Sequence, residues 1–150
     1  MSLPTQILPD HHHHCDDLFV AAEDAVARGD WTDAAAAYGR FESQMLAHFE
    51  AEESLLFPAF EAATGMSDGP TRMMRHEHDQ MRALLAQLAM ASAAHDGETY
   101  AGVAETLLML IQQHNMKEEN ILYPMCDQAL GAGAEQVGNE LSAFLGTRHA

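Results

Sequence analysis

Positive charge is scarce in this chain: seven Lys and Arg stand against 23 Asp and Glu, a formal net charge of −16. That balance excludes a nucleic-acid binder, whose phosphate contacts need clustered basic residues. It leaves cations open as partners, because the surplus carboxylates and ten His are all potential ligands. Cysteine is nearly absent. Cys15 and Cys126 are too few for a disulfide framework, so a reducing, cytoplasmic setting is the simpler expectation. Long apolar runs are missing as well, and no stretch nears the ~18 residues of a membrane span. The opening "MSLPTQILPD" does not have the basic-then-apolar order of a secretory signal. A soluble protein without membrane or nucleic-acid partners is expected. Five Pro and ten Gly, against abundant Ala, Leu and Met, favour helix over strand. At 150 residues the chain fits one domain with one substantial core.

Turn signals divide the chain into four long helical segments, near 8–28, 31–62, 71–94 and 98–129. The breaks are "ARGDW", with Asp30 placed to cap the next helix, "TGMSDGPT", "HDGE" and "GAGAE". Pro58 and Pro124 fall late in the second and fourth segments, where each removes a backbone donor and should kink the last turns. The reading is a single domain over 1–150, with the bundle core at about 8–130. Residues 131–150 read as a short C-terminal appendage without a functional signal.

One pattern occurs twice. Residues 48–58, "HFEAEESLLFP", and 114–124, "HNMKEENILYP", both run His, three residues, Glu-Glu, a short apolar run, an aromatic and Pro. The second segment carries a helical stripe Ala34, Tyr38, Phe41, Met45, His48, Glu52, Leu55, Ala59. Shifted by 66 residues, the fourth gives Tyr100, Ala104, Leu107, Ile111, His114, Glu118, Ile121, Met125. The first offers Leu8, His12, Cys15, Phe19, Ala22, Val26; the same shift gives Met74, His78, Met81, Leu85, Leu88, Ser92 in the third. Such stripes are the core faces of an all-α, up-down-up-down four-helix bundle, here with an internal two-fold pseudo-repeat.

Each stripe holds one His, and two of them add a Glu one turn later, about 6 Å further along the axis. A core Glu without a partner costs several kcal/mol. The basic residues cannot serve, since only Arg82 and Lys117 fall near this level and neither lies on a stripe. A metal pair can: Glu52 and Glu118 bridge it, and His12, His48, His78 and His114 complete it. A single core His is usually just hydrogen-bonded, and a single His-x3-Glu pair is usually a surface pair. Four His and two Glu in register are a different matter. The "HHHH" run at 11–14 lies inside a stripe, which favours native sequence over a purification tag. His12 fits the repeat, with His11 as the alternative ligand, and His76 reads as a surface or supporting group. Mixed imidazole and carboxylate donors suit iron or manganese rather than a closed zinc site or an all-oxygen calcium site.

On these residues the chain resembles the hemerythrin-like family, in its four-His, two-Glu form, over about residues 8–130. The resemblance implies two non-haem iron ions in the bundle, bridged by an oxo or hydroxo group, with manganese or zinc as substitutes in recombinant protein. It implies that His48 and His78 serve one iron and His12 and His114 the other. Oxygen carriers of the family place two His four apart on the third helix, where this chain has Met74 and Arg82 around His78. They also use His-x4-Asp on the fourth, against His114-x3-Glu118 here. With four His, each iron keeps an open position. The resemblance to four-His, two-Glu members therefore implies oxygen, nitric oxide or peroxide as the small ligand, in an oxidative or nitrosative stress response. An iron store or donor, or a di-iron oxidase or peroxidase, stays open, as does a monomer or weak homodimer.

Overall fold

Local sequence determines where the helices start and stop. In the computed structural model, which describes residues 2–147, Pro4 opens α1 (Pro4–Ala27) and Pro70 opens α4 (Pro70–Ala93). A first-turn position tolerates proline because its N–H would be unpaired anyway. Asp30 and Asp96 cap α2 (Trp31–Ala51) and α5 (Gly97–Lys117), accepting from the Asp33 and Thr99 amides at 3.1 Å. Gly65 and Gly131, with φ of 73° and 53°, end α3 (Phe57–Thr64) and α6 (Tyr123–Leu130). Every one of these boundaries recurs 66 residues on. The halves also share a left-handed residue before the second helix, Gly29 in one and His95 (φ 54°) in the other. A non-glycine there costs about 1 kcal/mol, and the His95 ring stacks on Trp31 with centroids 5.1 Å apart.

The helices form an all-α four-helix bundle. α1 packs against α2, and α4 against α5; the two hairpins meet along α2 with α4 and α1 with α5. The predicted stripes are buried from Leu8 to Ala22, Ala34 to Glu52, Met74 to Ser92 and Tyr100 to Glu118. Two apolar clusters result. One is built around Phe19, Phe41, Phe49, Leu85, Leu88 and Leu107. The other holds Leu8, Leu56, Phe57, Phe60, Tyr123 and Leu141. The polar layer of His and Glu lies between them.

Pro58 and Pro124 do not interrupt the rods as expected. Ahead of each proline the helix widens into a π turn, at Glu52–Leu56 and Glu118–Leu122. The amides of Phe57 and Tyr123 bond back to the carbonyls of Glu52 and Glu118, five residues earlier. The extra residue moves each proline into the first turn of α3 or α6, where its missing donor is harmless. It also shifts the stripe by one. Leu56, Phe60, Leu122 and Cys126 are buried, whereas the expected Leu55, Ala59 and Met125 are only partly covered and Ile121 is 56% exposed.

Residues 134–147, outside the periodic stripes, form α7 (Ala134–Thr147), packed on α1, α2, α6 and the first π turn. Leu141 and Leu145 enter the core cluster below the polar layer. Gly138 permits this seating, because a Cβ there would meet the Ser2 carbonyl at 1.8 Å. Replacing the fully buried Leu141 with Ala is expected to cost about 2–5 kcal/mol. A thermal melt measures it, and an unchanged midpoint would show that α7 lies outside the cooperative unit.

Candidate metal centre

The helical stripes bring His12, His48, Glu52, His78, His114 and Glu118 to one level, all of them buried. Both Glu stand at the first residue of a π turn, and the next residue, Glu53 or Glu119, reaches the same cross-helix imidazole, His78 or His12. Glu52, His78, His114 and Glu118 offer ligand atoms within 4.8 Å of one another; His12, His48 and Glu118 do the same. The His12 Nε2 lies 3.2 Å from Glu118 Oε1, and His114 Nε2 lies 3.1 Å from Glu118 Oε2. His78 Nε2 is 3.0 Å from Glu52 Oε1 and His48 Nε2 is 3.6 Å from Glu52 Oε2.

The rings pair within hairpins, not between them. His12 and His48 have centroids 4.5 Å apart, and His78 and His114 4.9 Å. This corrects the pairing implied by the resemblance, His48 with His78 and His12 with His114. The rings of α1 and α2 converge on one side of the glutamates, and those of α4 and α5 on the other.

Each imidazole presents Nε2 to the centre and is held from behind through Nδ1. Glu119 binds His12, Glu53 binds His78 and Glu77 binds His114, all at 2.7 Å. Arg82 grips Glu53 with both guanidinium nitrogens, at 2.9 and 3.0 Å, and Lys117 pairs with Glu77. The two cations that lie off the stripes thus hold two of the three outer carboxylates. His48 differs: its Nδ1 meets His11 Nδ1 at 2.8 Å, and His11 Nε2 meets Gln44 Oε1 at 3.0 Å. So His11 is buried beside the centre as a support, its ring behind that of His48. His13 and His76 are exposed. A carboxylate behind a metal-binding imidazole orients the ring and strengthens it as a donor. The doubled Glu in each motif was the signal for Glu53 and Glu119. Glu77 carried none except its place, 66 residues after His11.

The aromatic that ends each motif also differs between the halves. Phe57 is apolar, whereas the Tyr123 hydroxyl stands among Glu52 Oε2 at 2.5 Å, Glu118 Oε1 at 2.9 Å, His12 Nε2 at 3.3 Å and His48 Nε2 at 3.4 Å. Burial and the two carboxylates push its proton affinity well up, so it stays a phenol.

Burial alone would hold the imidazoles neutral, but the carboxylates outweigh it at His12 and His78, both raised to about 9. His114 is raised for the same reason. At His48 burial prevails, and at His11 burial with the adjacent His48 lowers the value to about 4. Cys15 and Cys126 are buried free thiols, pushed up by burial, and take no part as thiolates.

The donor set fits a metal pair by a direct observation. Glu52 Oε1, Glu118 Oε2, His78 Nε2 and His114 Nε2 are buried without an aligned hydrogen bond, facing one another in N···O contacts of 3.0 and 3.1 Å. Misaligned buried contacts leave part of each group's hydrogen-bonding capacity unmet, and four such donor atoms within 4.8 Å of one another are what a cation would satisfy. Comparison with known proteins agrees. No curated protein and no solved structure gives a significant match, but residues 3–126 match the hemerythrin HHE cation-binding domain. With that match over most of its length and a four-His, two-Glu cluster at its centre, the chain belongs to the hemerythrin HHE cation-binding family.

Proposed function

We propose that this chain is a cytoplasmic non-haem di-iron protein that binds or reacts with oxygen, nitric oxide or peroxide. The observation that carries the reading is the donor count. Four imidazoles and two carboxylates surround the centre, a set that suits iron or manganese and leaves each ion short of six ligands. Iron held there supplies electrons and exchangeable coordination positions for a diatomic ligand. The rest is the work of the protein. Glu52 and Glu118 span both positions, Glu53, Glu77 and Glu119 orient three imidazoles, and Tyr123 can donate a hydrogen bond into the space they enclose. A groove of about 670 Å³ between α1 and α5 reaches His12 and Glu119, lined by Phe19, Val20, Ile111 and Met116 among others. It offers a small apolar molecule a way in from solvent.

Reactivity rests on the missing fifth histidine. Met74 is buried one turn before His78, and the Arg82 guanidinium is committed to Glu53, so neither flank supplies an imidazole. The reduced, iron-loaded protein is expected to oxidise quickly and irreversibly in air, as stopped-flow absorption would record. Met74→His should slow that reaction if its ring reaches the metal. A long-lived, fully reversible oxygen adduct in the unmodified protein would make it a carrier instead. Rapid loss of iron to a chelator would point to an iron donor, and sustained turnover of peroxide to an enzyme.

A further inference from the structure

The halves of the bundle match at nearly every boundary but differ around the centre, and two of the differences set polar groups against ligand atoms of His12 and His48. His11 stands where the other half has Glu77, and Tyr123 stands where it has Phe57. Both act on the same position. Behind His114, Glu77 is an anion held by Lys117. Behind His48, His11 is neutral by its own bonding pattern. A His48 ring that uses Nε2 toward a metal carries its proton on Nδ1 and donates to His11 Nδ1. His11 then donates from Nε2 to Gln44 Oε1.

The two positions also differ in readiness. On the His78–His114 side, four buried ligand atoms face only one another, at 3.0 and 3.1 Å and without an aligned hydrogen bond, and no other side chain stands between them. On the His12–His48 side, the Tyr123 hydroxyl lies within 3.4 Å of both Nε2 atoms and hydrogen-bonds the glutamate oxygens that face them. An ion entering there must move that hydroxyl and break its bonds. Once a first ion has drawn on Glu52 and Glu118, the second finds less charge and no carboxylate behind His48.

We propose that the two metal positions fill in order, the His78–His114 position first and tightly, the His12–His48 position second and weakly. His11 and Tyr123 are the residues that set the difference. The proposal rests on the two-metal reading above. Replacing an outer carboxylate typically changes metal affinity by roughly 10–100-fold, so the two steps should differ by at least that factor.

Anaerobic titration of the metal-free protein with cobalt(II), followed by absorption and calorimetry, should resolve two steps. Crystals grown with one equivalent of cobalt should show anomalous scattering between His78 and His114. Tyr123→Phe and His11→Glu, alone or together, should strengthen the second step and bring it toward the first. Glu77→Gln should weaken the first step and leave the second nearly unchanged. If His11→Glu fails to fold, Tyr123→Phe carries the test, because it copies Phe57 of the other half. Two ions of equal affinity, or a first ion found between His12 and His48, would overturn the order while leaving the two-metal reading intact. Binding of a single ion per chain would overturn both.

Discussion

Stripping metal from the loaded protein is expected to cost far more stability at pH 9 than at pH 6. Glu52 and Glu118 are fully buried, and among the described residues no Lys or Arg bonds to either. Without a cation their compensation is the protons on His12 and His78. Burial opposes those protons, but the carboxylates hold both folded-state values at about 9, above the ordinary 6.5. A raised histidine stabilises the fold fully below pH 6.5 and loses that contribution as pH rises through 9. Each such imidazole accounts for about 3 kcal/mol in order of magnitude, shared with the carboxylate it faces. The Glu52 carboxyl, lowered well below 4.5 by the neighbouring His48 and His78 against burial, stabilises above 4.5 and fails as pH falls. The metal-free protein should therefore be most stable between about 4.5 and 6.5. In the loaded protein the ions supply the positive charge, and protons compete with them, so loading strengthens as pH rises. Melting both forms at pH 6 and pH 9 measures the gap. Curves that stay parallel across that range would mean the glutamates are not the metal's ligands.

Glu118→Gln should abolish most metal binding at both positions, a larger loss than any single histidine change. Its two oxygens face His12 on one side and His114 on the other, and it alone belongs to both ligand groups. The substitution keeps the shape and leaves an acceptor for the Tyr123 hydroxyl, but removes a buried charge. The metal-free variant should then melt higher than the metal-free parent at pH 9, because an uncompensated anion in the core is gone. That combination separates lost coordination from lost folding. His13→Ala is the matched control, since His13 is exposed and should keep its full metal content. Elemental analysis of both proteins decides the matter. Stoichiometric metal in Glu118→Gln would remove Glu118 from the ligand set.

Much of the molecule is local and could be read along the chain. Helix caps, the glycines that end helices and the 3.6-residue stripe depend on residues a turn or less apart. The bundle, its repeat and the level shared by four His and two Glu follow from them. The doubled Glu hinted at a second purpose, though not at which ring each would hold. What only the tertiary structure decided depends on rotation and on distant neighbours. The π turns insert one residue, so Leu56 and Leu122 are buried where Leu55 and Ile121 were expected. Ring pairing within hairpins follows from how the packed helices turn their rings toward one another, a matter on which stripes are silent. Glu77 reaches His114 across 37 residues, and His11 reaches His48 across the same span. Leu141 is buried only because α7 folds back over the layer beneath the site. Side chains brought together by packing leave no periodic trace in sequence, because each helix's own stripe is the same whatever covers it.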